Sequence, residues 1–166
     1  MSRIDAIDGR PPDQIGIVVP DIEAALERYE QSWGGGPWRI FTYGPGRIPW
    51  LTYRGQPGTY SLRLAISAAK PQIELIEPLE GPSIYEEFLE RGGQGLHHLG
   101  FWVKSLEQAV ASFEAAGYEQ IQAGGGYGLD GDGGYAYFDT ERDFGVILEA
   151  IQVPKRRSEP DSVWPR

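Results

Sequence analysis

The chain contains a second copy of its own first structural unit. Residues 14–30 align with residues 98–114 at a constant offset of 84 positions. Five aligned pairs are identical, whereas average composition would give about one by chance. A repeat of this size restricts the fold to two similar modules, so each half is expected to have the same order of elements. The identical pairs are Gly16 and Gly100, Val19 and Val103, Glu23 and Glu107, Ala25 and Ala109, and Glu30 and Glu114.

Each copy has the pattern of a strand followed by a helix. An apolar run of about six residues comes first, and Asp21 and Ser105 then stand where a helix N-cap is expected. Apolar residues recur at helical spacing after both caps. Three strand-like segments follow each helix, separated by Gly-Pro and Gly-rich turns. The pattern predicts the order β-α-β-β-β twice, which is an α+β fold.

We expect a single domain over residues 1–153. The first module spans about residues 12–80, a linking helix occupies 83–91, and the second module spans about 95–153. Residues 154–166 are expected to form a flexible C-terminal tail, because they are polar and rich in proline. The three basic residues near the start of this tail, Lys155, Arg156 and Arg157, are too few to indicate nucleic-acid binding.

Composition excludes several classes of protein. The formal net charge is -9 at pH 7, whereas a nucleic-acid-binding protein needs a basic face for the phosphates. The chain has no cysteine, which excludes disulfides, thiolate metal sites and cysteine nucleophiles. No apolar run reaches the ~18–20 residues of a membrane helix, and the first residues lack the apolar segment of a secretory signal. We therefore expect a cytoplasmic protein that binds neither nucleic acid nor membrane.

Four polar side chains occur at matching places in the two halves. Gln14 and His98 each precede a glycine by two positions, so the polar side chain and the glycine share one strand face. Glu74 and Glu149 each lie inside an apolar run in the last strand of their half. A buried carboxylate needs a partner, which an arginine, hydrogen bonds or a metal could supply. If the four strands line one sheet face, three oxygen ligands and one imidazole converge, a set that suits a divalent metal with open positions.

Each of these residues also has a plainer interpretation. A histidine inside a strand is usually a hydrogen-bonded core residue, and a glutamate there often lies on an exposed face. Their symmetric placement across the duplication favours the metal site. The neighbouring His97 is expected to point to the opposite face from His98 and to have a structural role.

Four sequence motifs carry a resemblance to a known family. They begin at Gln14 (Gln-Ile-Gly-Ile-Val-Val-Pro-Asp), Ile73 (Ile-Glu-Leu-Ile-Glu-Pro-Leu), Gly95 (Gly-Leu-His-His-Leu-Gly-Phe) and Gly145 (Gly-Val-Ile-Leu-Glu). They resemble the vicinal oxygen chelate superfamily, which includes glyoxalase I, methylmalonyl-CoA epimerase, extradiol dioxygenases, fosfomycin-resistance enzymes and bleomycin-binding proteins. The residues of these motifs most resemble those of the methylmalonyl-CoA epimerase and glyoxalase-like branch. The resemblance implies two βαβββ modules that form a cupped mixed sheet around a metal.

The resemblance also implies a metal site and its ligands. The implied cofactor is one divalent metal, with Zn, Mn, Co, Ni and Fe all open. The ligand set is similar to that of one type of glyoxalase I, whereas epimerases commonly have His at the first position and Gln at the second. Epimerases also carry a glutamate base where this chain has Arg63 or Leu62, which argues against two-base racemisation of methylmalonyl-CoA. Because members of the family are commonly homodimers, the resemblance also implies a homodimer. The implied ligands are Gln14, Glu74, His98 and Glu149.

These observations predict a metal-dependent isomerase, epimerase or lyase that moves a proton next to a carbonyl. A metal that binds two neighbouring substrate oxygens stabilises the charge that develops on them. Glu149 is the predicted base, either as a labile ligand or beside the metal. Aromatic side chains favour an apolar or aromatic small-molecule substrate, with Arg63 on an anionic or carbonyl oxygen. The alternative is a non-catalytic, drug-sequestering binding protein of the same fold. The predicted pocket residues are Trp102, Arg63, Tyr43, Trp50 and Tyr127.

Overall fold

The strands of the protein form one large open sheet. The computed structural model describes residues 2–165, in which there are eleven strands and four helices. The strands are β1 (Gln14–Val18), β2 (Trp38–Tyr43), β3 (Trp50–Tyr53), β4 (Gln56–Pro57), β5 (Ser61–Ile66), β6 (Gln72–Glu80), β7 (Gly95–Trp102), β8 (Gln120–Tyr127), β9 (Gly133–Phe138), β10 (Ile147–Gln152) and β11 (Ser162–Trp164). The helices are α1 (Ile22–Ser32), α2 (Ile84–Glu90), α3 (Leu106–Ala115) and α4 (Glu141–Phe144).

The duplication is visible in the order of the elements. The first βαβββ module consists of β1, α1, β2, β5 and β6, and the second consists of β7, α3, β8, β9 and β10. The sheet order is β11-β2-β5-β6-β1-β7-β10-β9-β8-β3-β4. The two modules join along their first strands, because β1 pairs antiparallel with β7, while β6 and β10 run parallel to them on either side. The predicted α+β fold, with two βαβββ modules in one mixed sheet, is confirmed.

Both copied helices begin at the expected caps. The Asp21 side chain accepts a hydrogen bond from the backbone N–H of Ala24 at 3.0 Å, and Ser105 accepts one from Gln108 at 3.2 Å. Such caps pair an amide that the start of a helix otherwise leaves without a partner. The apolar sides of α1 and α3 then cover one face of the sheet, each over its own module. Within residues 2–165, no helix combines the length and apolar character that crossing a membrane requires.

The first module reaches across to the second through a hairpin. β3 and β4 form this hairpin clasp, residues 50–57, which the sequence pattern did not predict. β3 pairs with β8, at the far side of the second module, and Trp50 packs there against Gly125. The clasp therefore belongs to the first module in sequence and to the second in space.

The second module reaches back to the first through the end of the chain. The expectation of a flexible tail over 154–166 is wrong for the part that the structure describes, because β11 pairs antiparallel with β2. The Arg47 guanidinium also lies 2.7 Å from the Asp161 carboxylate. We call residues 154–164 the C-terminal strap. Local composition could not indicate this pairing, since the partner strand lies far away in the sequence.

Candidate metal centre and cavity

Two short rows of residues cross the middle of the sheet, where the modules join. Each row has a polar side chain on either side of a glycine, and the duplication relates one row to the other. Neighbours in a row lie side by side on adjacent strands, so the four polar side chains emerge on the same face. The rows are Glu74, Gly16 and His98 across β6, β1 and β7, and Gln14, Gly100 and Glu149 across β1, β7 and β10.

The two glycines make room for the polar side chains of the opposite module. A Cβ atom on Gly16 would lie 1.9 Å from Cε1 of His98. One on Gly100 would lie 2.8 Å from Cδ1 of Ile151 and 3.1 Å from Cβ of Gln14. The His98 ring therefore occupies the space that any side chain at position 16 would need. The glycine of each copied motif thus serves the ligand candidate of the other copy, which explains why both copies carry one.

Gly16→Ala is expected to disrupt the candidate metal site. The added methyl group overlaps the His98 ring, so the ring or the pairing of β1 with β7 must move. Losing the orientation of a ligand typically lowers metal affinity roughly 10–100-fold, which calorimetric titration with Mn²⁺ would measure. Gly36→Ala is a matched control, because its methyl group comes closest to the flexible end of Glu30, at 3.0 Å. Wild-type metal affinity in Gly16→Ala would contradict this role of the glycine.

Glu74, His98 and Glu149 form a buried cluster. Nε2 of His98 lies 3.2 Å from Oε2 of Glu149 and 3.4 Å from Oε2 of Glu74. The His98 side chain has no exposed surface, and both carboxylates are buried. One ligand atom from each residue can be chosen so that all three lie within 4.8 Å of one another, which is close enough to share one ion.

Unpaired polar atoms test whether a metal fits this cluster. Among residues 2–165, Nε2 of His98, Oε2 of Glu149 and Oε1 of Gln14 are buried without a well-aligned hydrogen bond, although the first two lie 3.2 Å apart as an ion pair. Gln14 donates its Nε2 hydrogen bond to Oε1 of Gln72 at 2.8 Å, which leaves the amide oxygen free on the side of the cavity. Unpaired buried polar atoms are costly, and one divalent ion would satisfy all three. Imidazole, carboxylate and amide oxygens are accepted ligands of the divalent transition metals, so these residues fit such an ion.

The metal-free cluster holds a proton between its carboxylates. Burial alone would lower the pKa of His98, but the negative charges of Glu149 and Glu74 outweigh it and raise the pKa to about 9. Burial raises the pKa of Glu149, and the neighbouring His98 opposes that rise. His98 and Glu149 titrate together, and His98 is protonated near neutral pH. A metal that binds here takes the place of the His98 proton.

A bulge in β7 changes the direction of His97. The pairing of β1 with β7 shifts register between Gly16 and Ile17, which leaves His97 as an extra residue. Its ring therefore lies beside that of His98, with the two Nδ1 atoms 2.9 Å apart, so the prediction that it points to the opposite face is wrong. Burial, and then the charge of His98, lower the pKa of His97 well below its usual value. The neutral His97 thus accepts a hydrogen bond from Nδ1 of His98 and orients the ring.

An apolar cavity opens beside the cluster. Gln14, Glu74 and Glu149 line it together with aliphatic and tyrosine side chains from both modules. The aliphatic residues include Ile48, Leu62, Leu64, Ile66, Ile76 and Ile151. The tyrosines are Tyr43, Tyr85, Tyr127, Tyr135 and Tyr137. An apolar body with its polar atoms at the metal position is the ligand that this lining suits.

Tyr137 connects the cavity wall to Glu149. The Tyr85 hydroxyl donates a hydrogen bond to the Tyr137 hydroxyl at 2.8 Å. Tyr137 in turn faces the Glu149 carboxylate, where burial raises the Glu149 pKa and the Tyr137 hydroxyl partly opposes it. Burial, and then the charge of Glu149, raise the pKa of Tyr137, so it stays a neutral donor. Sequence reasoning missed Tyr137, although its sheet register opposite Glu149 would have indicated it.

Arg63 lies outside the cavity, contrary to the sequence prediction. Leu62 and Leu64 on β5 line the cavity, so the alternation of the strand turns Arg63 to the other face. There it lies 3.3 Å from Glu23 and 3.9 Å from Glu77. The sequence alignment could not choose between Leu62 and Arg63 for this position, and the structure places Leu62 in the cavity.

Of the aromatic residues predicted to line the pocket, three line the cavity and one does not. Tyr43, Tyr127 and Trp102 line the cavity, and Trp102 remains 40% exposed at its edge. Trp50 is absent from the lining, because it stands on the hairpin clasp, 46% exposed, and packs against Gly125. Because the clasp was not predicted from the sequence, Trp50 could not be assigned to it.

The fold agrees with comparisons to known proteins. A model of the Glyoxalase/Bleomycin resistance protein/Dioxygenase superfamily matches residues 13–138, so the chain belongs to that superfamily. An uncharacterised protein of Bacillus subtilis (strain 168), YqjC, is 27% identical over 143 residues, which are 84% of this chain and 90% of that protein.

Solved structures show the same fold at lower identity. A hypothetical protein from Bacillus halodurans C-125 has a TM-score of 0.65 and 23% identity, covering 89% of this chain and 97% of the other. Methylmalonyl-CoA epimerase from Mycobacterium tuberculosis has a TM-score of 0.60 and 20% identity, covering 87% and 89%. Two variants of methylmalonyl-CoA epimerase from Streptomyces coelicolor have TM-scores of 0.61 and 0.62 and 18% identity, each covering 89% of this chain and 96% and 97% of the other, respectively. At these identities the likeness establishes the glyoxalase-like fold, and function must come from the site.

Proposed function

We propose that the protein is a divalent-metal-dependent isomerase, epimerase or lyase. It would transfer a proton at a carbon next to a carbonyl in an apolar or aromatic small molecule. The observation that carries this proposal is the buried cluster of Glu74, His98 and Glu149, whose unpaired ligand atoms lie beside an apolar cavity. The epimerase names of several structural neighbours support proton transfer as the chemistry, by analogy of fold only.

The four candidate ligands would have two different roles, metal binding and proton transfer. Gln14, Glu74 and His98 would hold the ion, with Glu149 as a fourth, more labile ligand or as its close neighbour. A bound divalent ion supplies positive charge that stabilises the negative charge developing on substrate oxygens. Glu149 would take the proton from the carbon and return it, which is the role that differentiates it from the other three.

The surroundings of Glu149 suit a base. Burial raises its pKa, which makes the carboxylate a stronger proton acceptor than an exposed glutamate. Its Oε2 faces Nε2 of His98 at 3.2 Å without a well-aligned hydrogen bond, and an ion bound at His98 would take the place of the proton there. Tyr137 lies opposite Glu149 in the sheet register, and its hydroxyl partly opposes this rise in pKa. The proton acceptor is therefore basic and lies in the cavity lining.

Metal-dependent exchange of carbon-bound hydrogen tests the proposal. The probes are 2-hydroxyacetophenone and phenylpyruvate, each of which has neighbouring oxygens and an acidic carbon–hydrogen bond. The protein is freed of metal and reloaded separately with Zn²⁺, Mn²⁺, Co²⁺ and Ni²⁺ in D₂O, and deuterium uptake is measured by mass spectrometry. We expect at least one loaded form to exceed both the metal-free protein and the free ion. No exchange above these controls with any metal would contradict the proposal.

A binding protein of the same fold is the second candidate. The observation that favours it is the tyrosine-lined apolar cavity, which suits capture of an aromatic compound without any reaction. Saturable binding of the aromatic probes, with equal affinity in the loaded and metal-free protein and with no exchange, would select this alternative.

A further inference from the structure

The C-terminal strap is anchored at both ends. At its start, Arg156 pairs with Asp130, and the Arg156 carbonyl accepts a hydrogen bond from the Leu129 amide at 2.9 Å. At its end, the Asp161 amide donates to the Ile40 carbonyl at 2.8 Å, and β11 follows alongside β2. The first anchor lies in the second module and the other in the first. The residues between them are therefore held beside the cavity that the modules share.

The strap brings one cation to the cavity. Arg157 is the positively charged side chain of the lining, and no other Lys or Arg of the described chain lines it. Within residues 2–165 its guanidinium makes no hydrogen bond or ion pair, whereas the adjacent Arg156 pairs with Asp130. Burial raises the pKa values of Tyr43 and Tyr127, and the nearby charge of Arg157 opposes both rises. Arg157 thus stands by these tyrosines with its donors unused.

The cavity lining carries charges of both signs. Glu74 and Glu149 put negative charge at the metal position, and Arg157 on the strap adds a positive charge to the same lining. Aliphatic and tyrosine side chains make up much of the rest of the lining. An unpaired guanidinium presents a planar fork of N–H donors that matches a carboxylate. The lining is therefore complementary to a molecule with an apolar body and an anionic end.

We propose that Arg157 binds a carboxylate of the substrate. The substrate class becomes an apolar or aromatic carbonyl compound that also carries a carboxylate. The carbonyl part of this statement rests on the proposed function. The recognition of an anion by Arg157 rests on the strap and the cavity lining, and it can be tested without any metal.

The test compares two probes that differ only in charge at one end. Binding of 3-phenylpropionate and of 3-phenylpropanamide to the metal-free, chelator-treated protein is measured by calorimetry or by tryptophan fluorescence. The wild-type protein is expected to prefer the carboxylate. Arg157→Gln is expected to lower carboxylate affinity about tenfold, the effect of losing a charge-assisted hydrogen bond, while the amide binds as before. Arg157→Lys should keep part of the preference, because the charge remains and the planar fork is lost.

Lys155→Gln is the matched control. Lys155 is an exposed cation on the same strap, its side chain lies outside the cavity lining, and the substitution removes the same charge. It is expected to leave the preference for the carboxylate unchanged. Equal losses in Lys155→Gln and Arg157→Gln, equal weakening of both probes in Arg157→Gln, or a wild-type protein without a carboxylate preference would each overturn the proposal. A retained carboxylate preference together with absent deuterium exchange would instead contradict the proposed function alone.

Discussion

Glu149→Gln is expected to slow deuterium exchange by roughly 10²–10⁴-fold, the usual contribution of a positioned proton-transfer group. Glutamine fills the same space, and its carbonyl oxygen can still bind a metal, but its amide is not basic. The fold should be retained, because a neutral side chain relieves the cost of burying a carboxylate beside Glu74. The measurement is the exchange rate of 2-hydroxyacetophenone at saturating metal, with circular dichroism and metal content checked on the same sample.

A second glutamate on the same sheet provides the control for this result. Glu77 lies on β6, is partly buried, and stands 3.9 Å from Arg63 outside the cavity. Glu77→Gln makes the same chemical change without touching the cluster, and its exchange rate should equal that of the wild-type protein. Full activity in Glu149→Gln would remove Glu149 from the mechanism. Equal losses in both variants would indicate a general effect on the sheet.

His98→Ala is expected to abolish metal binding. The wild-type protein should take up about one divalent ion per chain, as the single cluster implies. Truncation removes the only nitrogen ligand of the cluster and leaves the Glu74 and Glu149 carboxylates buried without the positive charge between them. Because loss of an outer partner alone costs roughly 10–100-fold in affinity, loss of a direct ligand should exceed that range. Metal content is measured on protein purified without chelators and after reconstitution with Mn²⁺, Co²⁺, Ni²⁺ or Zn²⁺.

Misfolding of this variant must be separated from the loss of a ligand. His98→Gln keeps most of the volume and an amide oxygen, so it should fold while binding metal far more weakly than the wild-type protein. Arg63→Gln serves as the control outside the cavity and should retain the full metal content. A wild-type level of metal in folded His98→Gln and His98→Ala would show that the ion binds elsewhere. A wild-type protein that takes up no metal under any of these conditions would show that the cluster is structural.

The duplicated part of the fold could be predicted from the sequence, because its determinants are local. Strand alternation, the caps at Asp21 and Ser105 and the repeat itself are all visible within short windows. The hairpin clasp and the strap could not be predicted from such short windows. Their strands are only two to four residues long, and β3 and β11 each pair with a strand from the other module. Long-range pairing of this kind leaves little trace in local composition.

The candidate site shows the same division. Strand parity and the repeat led to Gln14, Glu74, His98 and Glu149, and the structure brings the last three into contact. The rule that successive strand residues face opposite sides gave the wrong direction for His97, because a bulge adds one residue to β7. Arg157 was missed because its segment had the composition of a solvated tail. The metal itself, the homodimer and the cytoplasmic location stay predictions.

The clasp and the strap have a consequence for stereochemistry. Duplication alone would give a cup whose halves are related by an approximate two-fold axis, so that the two faces of a flat molecule would meet equivalent walls. The clasp and the strap have no counterparts in the opposite module, and Arg157 approaches from one of them only. The two faces of a prochiral carbonyl compound are thus distinguishable inside the cup. Handedness of the product would then depend on the segments that escaped duplication and on the unlike counterparts Gln14 and His98, while the ability to react would depend on the copied segments.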